Sequence, residues 1–180
     1  MLTAVEVINN FGSLVPAIYH ITRGFFALSG LVTFAVALSA YQSGKLGGQH
    51  VSKGTCVMIA VVGSMMFSTG VLSRVGVASL LESSVDYSIL SSYSEQSSED
   101  AADVAFYVVT YYLRLFSYFL SFSTLNTVKN GLIYHKEGWV SKSIGMYILS
   151  IGLLGIATLA NVFGGLFGYS TIGTNYFTLD

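Results

Sequence analysis

Residues 104–128 read VAFYVVTYYLRLFSYFLSFSTLNTV, an apolar run that contains a single charged residue, Arg114. The run is longer than the roughly 20 residues with which an α-helix crosses about 30 Å of hydrocarbon. Its apolar residues are nearly continuous and do not alternate with polar ones at every second position, as a membrane β-strand would require. We therefore predict a transmembrane helix here.

Three further segments of the same kind occur at residues 14–42, 53–81 and 139–168. Over the whole chain 53% of the residues are apolar and 9% are charged, and the mean hydropathy is +0.66. A soluble domain carries roughly one-quarter charged residues. The sequence thus predicts an all-α membrane protein with four transmembrane helices.

The two halves of the chain share a signature. Arg23 lies 30 positions before Lys53 of Val51-Ser52-Lys53 (53 − 23 = 30), and Arg114 lies 28 before Lys142 of Val140-Ser141-Lys142 (142 − 114 = 28). A shift of 89 residues also aligns Gly63 with Gly152 and Gly76 with Gly165. We predict two tandem helical hairpins, residues 1–82 and 104–180, joined by a linker at residues 83–103.

The distribution of charge predicts the topology. The first and third loops are basic, whereas the linker and its flanks hold six acidic residues and no basic one. By the positive-inside rule both loops face the cytoplasm, and the linker and both termini face outward. The two hairpins are then parallel repeats about an axis along the membrane normal. The start of the chain has no basic n-region, so we expect no cleaved leader.

Three arginines fall inside the apolar segments: Arg23, Arg74 and Arg114. An arginine at depth costs at least about 2.5–3.5 kcal/mol on insertion scales, so it turns inward, pairs, or extends to the headgroups. For Arg23 and Arg114, which the repeat makes equivalent, we predict a protein partner or a lipid phosphate. For Arg74, extension to the headgroups is an equal alternative.

Polar residues in the third segment recur at steps of three and four and form one stripe along the predicted helix. The stripe is either a helix contact sealed by hydrogen bonds, which we prefer, or the wall of a watery lumen. Ser117, Tyr118 and Ser121 are its central candidates for assembly. Its members are Tyr107, Thr110, Tyr111, Arg114, Ser117, Tyr118, Ser121 and Thr124.

No pattern in the sequence indicates catalysis, a metal site or a cofactor. Cys56 is the only cysteine, and the three histidines are scattered without metal-ligand spacing. No phosphate-binding glycine loop and no intramembrane carboxylate is present. We expect a protein that is not an enzyme.

The lysines of the two basic loops could meet phosphate at the inner interface, where each basic residue gains about 1 kcal/mol from anionic lipid. Plain topology determination is the alternative reading. The candidates for contact with bound phospholipid, or with a lumen, are Lys45, Lys53, Lys129, Lys136 and Lys142.

The order of these elements resembles that of a known group of proteins. Each copy has an arginine-bearing helix, a lysine loop with Val-Ser-Lys and a glycine-bearing helix, and an acidic outer linker precedes the second copy. It is similar to the small polytopic membrane proteins of type IVB secretion and IncI-type conjugation systems (the IcmC/DotE and TraQ group). Each half also resembles a conjugative pilin hairpin. The resemblance implies a subunit of a bacterial DNA- or protein-transfer machine in the inner membrane, with both termini in the periplasm. Its implied partners are other apparatus subunits, lipid and transient nucleic acid.

We therefore expect a structural subunit that forms homo-oligomers, with polymerisation into a pilus as the more specific form. One alternative is a small channel or carrier lined by the polar stripe. Another is an accessory membrane protein that binds a partner through residues 83–103.

Overall fold

The computed structural model describes residues 3–81, 87–91, 93, 101–156, 158 and 159, and this part of the chain is mostly helical. The all-α class predicted from the sequence is confirmed. In chain order the elements are α1 (Ala4–Gly12), α2 (Leu14–Ser43), β1 (Lys45–Leu46), β2 (Gln49–His50), α3 (Lys53–Phe67), α4 (Thr69–Leu81), a 3₁₀ helix (Tyr87–Ser91), α5 (Ala101–Tyr134) and α6 (Trp139–Leu154).

The first helical run begins ten residues earlier than the predicted residue 14. A capping box starts α1, because the Thr3 hydroxyl accepts from the Glu6 amide and the Glu6 carboxylate accepts from the Thr3 amide. The run is interrupted only at Ser13. Pro16 explains the interruption, since it has no N–H to donate to the carbonyl four residues before it.

The turn between α2 and α3 is a miniature β-hairpin. Gly44 ends α2 with a φ of 66°, and β1 and β2 then pair antiparallel. Gly47 and Gly48 form the two-residue turn with φ values of 56° and 85°. Positive φ at both central residues is what a tight hairpin turn of this kind needs, and glycine supplies it without strain.

The predicted second segment, residues 53–81, is not one helix. It divides into α3 and α4 at Ser68, whose φ of −115° and ψ of 46° are not helical. Ser64 and Ser68 each donate a side-chain hydrogen bond to the carbonyl four residues earlier. Such bonds compete with the backbone ladder and bend helices, so the serines account for the break.

The second hairpin consists of α5 and α6. The helix α5 extends beyond the predicted 104–128 at both ends, to Ala101 and Tyr134. The helix α6 begins at the predicted residue 139 and ends at Leu154, and most of the rest of the predicted segment 139–168 lies outside the described residues.

The two hairpins, α2 with α3 and α5 with α6, lie side by side. The rings of Tyr19 and Tyr118 are 5.2 Å apart, and further along both helices the rings of Phe26 and Phe122 stack at 3.8 Å. Since the contacts advance in the same direction along both helices, α2 and α5 are parallel. The turns of both hairpins, which carry the lysines, are therefore at one end of the bundle.

Part of the predicted linker packs into the core. Residues 83–103 were expected to form an outer segment, but within them the 3₁₀ helix buries Tyr87 and Leu90 fully, and α5 already begins at Ala101. The aromatic and aliphatic side chains of this serine-rich stretch give it apolar surface to bury, which outweighs its polar composition.

Two helical runs, Ala4–Ser43 and Val104–Tyr134, are long and apolar enough to cross a membrane. As described, α3 and α6 are apolar but shorter, with 15 and 16 residues. The four spans and the tandem duplication stay predictions.

Candidate functional site

The polar stripe of α5 lies inside the protein. Its face of α5 is covered by α6, by the 3₁₀ helix and by the N-terminal run. All eight residues of the stripe are buried: Tyr107, Thr110, Tyr111, Arg114, Ser117, Tyr118, Ser121 and Thr124. The stripe is thus a contact between segments of one chain.

Four hydroxyl groups at the centre of the stripe form a network. The Tyr87 hydroxyl lies 2.9 Å from that of Ser117 and 2.7 Å from that of Ser121, and the Ser121 and Ser150 hydroxyls are 2.9 Å apart. Ser117 donates to the Ser150 carbonyl (2.6 Å), and Ser150 donates to the Tyr147 carbonyl (3.0 Å).

These bonds assign the protons of the network. Ser117 and Ser150 each use their proton on a carbonyl, so Ser121 is free to donate to the Ser150 oxygen and Tyr87 to Ser117 or Ser121. No buried side-chain nitrogen or oxygen among the described residues lacks a hydrogen-bond partner. A satisfied network of this kind joins segments at depth in an apolar setting.

Arg114 is 2% exposed and lies at the end of α6. Its Nε donates to the carbonyl of Leu154, the last residue of α6, at 3.3 Å, and its guanidinium lies 5.8 Å from the centre of the Tyr111 ring. The last carbonyls of a helix lack intrahelical donors and carry partial negative charge, which favours a cation there. The structure thus places Arg114 against the protein.

The other two arginines have different positions. Arg23 on α2 is exposed, although the repeat makes it the counterpart of the buried Arg114. Arg74 is part of α4, and its side chain lies outside the described residues. The two arginines of the signature therefore do not have equivalent surroundings.

Tyr118 is the centre of an aromatic cluster that joins three elements. Its ring centre is 5.2 Å from that of Tyr19, 5.0 Å from that of Phe26 and 4.8 Å from that of Tyr87. Aromatic pairs at such distances contribute beyond the area that they bury. Tyr118 thereby joins α2 and the 3₁₀ helix to α5.

The helices of the first hairpin pack closely at glycines, whereas those of the second are joined by hydrogen bonds of hydroxyl groups. A Cβ on Gly30 would lie 2.5 Å from the Phe67 backbone nitrogen, and one on Gly63 would lie 2.8 Å from that of Phe34. Only glycine allows the backbones of α2 and α3 to approach so closely. Gly152, the counterpart of Gly63 in the repeat, has more room among the described residues, where the nearest atom to a Cβ there is Leu159 Cδ1 at 3.7 Å.

The five lysines lie in or near the turns of the two hairpins. Lys129 is half-buried, and the others are exposed. The Lys53 ammonium lies 5.6 Å from the centre of the Tyr41 ring, and that of Lys136 lies 5.9 Å from the Tyr134 ring. These positions suit a phosphate-bearing interface, and the predicted contact with lipid stays a prediction.

Among the residues that the structure describes, no three His, Cys, Asp or Glu side chains are grouped so as to hold a metal ion. Comparison with known proteins gives no assignment either: no family model, no curated protein and no solved structure matches this chain.

Sequence reasoning missed the residues that complete the stripe. Tyr87 and Leu90 belong to the polar linker but are buried. Ser150 takes part in three of the hydrogen bonds of the hydroxyl network. Tyr93, also from the linker, donates to the Asn9 side chain at 2.9 Å. The spacing of Tyr87 and Leu90, three residues apart among serines, is the signal that could have indicated a buried turn of helix.

Proposed function

We propose that this chain is a non-enzymatic structural subunit, embedded in a membrane, of a bacterial type IV transfer apparatus. One observation carries the structural role: polar side chains are satisfied inside the chain, while large apolar side chains cover its outside. Such a surface fits lipid and neighbouring subunits, and neither transport nor chemistry is needed to account for the buried polar groups.

The exposed apolar surface extends over every long helix. On α2, Ile21, Phe25 and Leu28 leave 75%, 64% and 62% of their surface exposed. Soluble monomers rarely expose contiguous apolar patches larger than a few hundred Å². Further exposed apolar residues are Val57, Met58, Val61 and Phe67 on α3, Phe116 and Phe119 on α5, and Ile144, Ile148 and Leu149 on α6.

The spacing of charges along the first long run supports the predicted topology. The next charged residue after Arg23 is Lys45, 22 residues later (45 − 23). At about 1.5 Å per residue this interval is about 33 Å, close to one hydrocarbon thickness. In our proposal the chain makes four spans, with the lysine turns in the cytoplasm and both termini outside, as the positive-inside rule predicts.

The transfer apparatus is the setting that the sequence resemblance implies. In that setting the apolar outer faces pack against other copies, in an oligomer or a pilus, and the lysine turns face phosphate of lipid or of passing nucleic acid. Parallel hairpins side by side present the same end of every subunit to the same side of the membrane, as a ring or filament requires.

The alternatives are a channel or carrier and an accessory protein. The burial of the polar stripe disfavours a lumen within one chain. The burial of Tyr87 and Leu90 removes part of residues 83–103 from the surface available to a partner.

Electron microscopy of the protein extracted in mild detergent tests the proposal, together with solute flux in liposomes. Rings or filaments without flux are expected. A monomer that conducts solute would contradict the proposal and support the channel, whereas a monomer without flux would support the accessory protein.

A further inference from the structure

A groove on the outside of the first hairpin, between α2 and α3, has the shape and the polarity of a lipid-chain site. Its upper part, about 310 Å³, is lined by Gly30, Leu31, Phe34, Gly63, Ser64, Phe67 and Ser68. Four of these residues, Gly30, Gly63, Ser64 and Ser68, are small, and a groove therefore remains open between the two helices. A lower cavity of about 160 Å³ shares Phe34 and Ser64 with it and reaches Tyr41.

A cation lies above the upper end of this groove. Arg23, Ala27, Gly30 and Phe34 follow one another at steps of four, three and four residues, so they share one face of α2. At about 1.5 Å per residue, Arg23 is about 10 Å above Gly30 and about 16 Å above Phe34. That length matches one leaflet of hydrocarbon, which is about 15 Å thick.

The break at Ser68 leaves this face of α2 open. The backbone of Phe67, the last residue of α3, is opposite Gly30, because a Cβ on Gly30 would lie 2.5 Å from the Phe67 nitrogen. Beyond this level the chain leaves the path of α3 at Ser68, and Arg23 is exposed.

We propose that Arg23 binds the phosphate of an outer-leaflet phospholipid whose acyl chain lies in the groove between α2 and α3. The guanidinium supplies a planar set of donors that suits phosphate oxygens. The groove supplies apolar contact at the depth that the chain of such a lipid reaches. The proposal rests on the membrane embedding proposed above, and it does not depend on the transfer apparatus.

Native mass spectrometry of the detergent-solubilised full chain tests the site, with palmitoyl-oleoyl-phosphatidylglycerol as the probe. Arg23→Gln removes the charge and leaves the groove, whereas Ser64→Leu fills the groove and leaves the charge. Arg23→Gln should lower the affinity for the probe about fivefold, the effect of one basic residue at an anionic membrane surface. Ser64→Leu should also lower the affinity, because its side chain occupies the space of the acyl chain. Palmitoyl-oleoyl-glycerol, which has the same chains and no phosphate, should bind the unchanged protein about as weakly as the probe binds Arg23→Gln.

Two variants serve as controls. Arg23→Lys keeps a cation beside the groove and should lose less affinity for the probe than Arg23→Gln does. Ser123→Leu adds the same bulk as Ser64→Leu to the groove between α2 and α5, and it should bind the probe as the unchanged protein does. Equal binding by all variants, or equal loss in the controls, would overturn the site.

A second copy of the chain is the competing occupant. Ser64→Cys in a Cys56→Ser background should stay monomeric under oxidation if lipid fills the groove, and disulfide-linked dimers would overturn the proposal. Carbonate extraction separates this result from the proposed function. Release of the protein from membranes would contradict the embedding itself, whereas retention without preferential lipid binding would contradict only the site.

Discussion

The hydroxyl of Tyr87 lies 2.7 Å from that of Ser121, although 34 residues separate the two in the sequence. This contact fastens a short 3₁₀ helix from the predicted outer linker to the middle of the longest helix. Backbone outside an α-helix is tolerated at membrane depth where protein buries it. The linker is therefore, in part, a structural element of the bundle.

Tyr87→Phe should destabilise the protein by about 1 kcal/mol. The ring keeps its packing, but the hydroxyl that bridges Ser117 and Ser121 is lost. Thermal unfolding in detergent measures the effect, with Tyr134→Phe on the exposed end of α5 as the control. Equal midpoints for both variants would show that the network contributes nothing to stability.

Gly63→Ala should destabilise the first hairpin by about 1–3 kcal/mol, the usual range for overpacking. The new methyl would lie 2.8 Å from the Phe34 nitrogen and 2.9 Å from the Gly30 oxygen, both of which are backbone atoms. Gly145→Ala is the matched control, because a Cβ there meets no atom of the described residues within 4 Å. Denaturant titration of both variants measures the difference, and a stable Gly63→Ala protein would disprove the close crossing.

Arg114→Leu should destabilise the protein far more than Arg23→Leu. The first change removes the bond to the Leu154 carbonyl and leaves the buried end of α6 without that donor, whereas Arg23 is exposed. Thermal midpoints of the two purified variants compare them. Similar losses would restore the equivalence that the repeated signature predicted.

Cysteines at the two ends of the first hairpin test the topology. In a Cys56→Ser background, Asn10→Cys should react with a membrane-impermeant maleimide in intact spheroplasts. Gln49→Cys, in the exposed turn beside the lysines, should react only after permeabilisation. The reverse pattern would invert the orientation, and labelling of both from outside would remove the first span.

Charge reversal at Lys53 and Lys142 should impair assembly more than the same change at Lys45 and Lys136. Lys53 and Lys142 lie in the first turns of α3 and α6, where an acidic residue suits the helix dipole better than a lysine does. Lys53→Glu/Lys142→Glu therefore leaves the helices intact, and a loss of assembly would reflect lost contact with phosphate. The yield of oligomers from membranes measures it, and normal assembly of this variant would reduce the lysines to topology signals.

Composition and periodicity were sufficient to predict the helical class, the long apolar helices and the face of α5 on which the polar residues lie. Those features depend on nearest neighbours along the helix and on average transfer free energies, which local sequence carries. The ends of the helices were harder to predict from the sequence. The start of α1 depends on a capping box and the break at Ser68 on side-chain bonds to the backbone, and both compete closely with continued helix.

Only the tertiary structure decided which partners the polar residues have. The repeat predicted equal roles for Arg23 and Arg114, yet one is exposed and the other lies at the end of α6. Likewise, the stripe forms hydrogen bonds with Ser150 and Tyr87, which lie outside α5 and therefore cannot be predicted from a helical wheel of α5. The sequence determined that these hydroxyls and charges share a helix face, because side-chain direction follows from helix geometry. Their partners come from segments distant in the chain, and the packing of whole helices determines which of those segments meet.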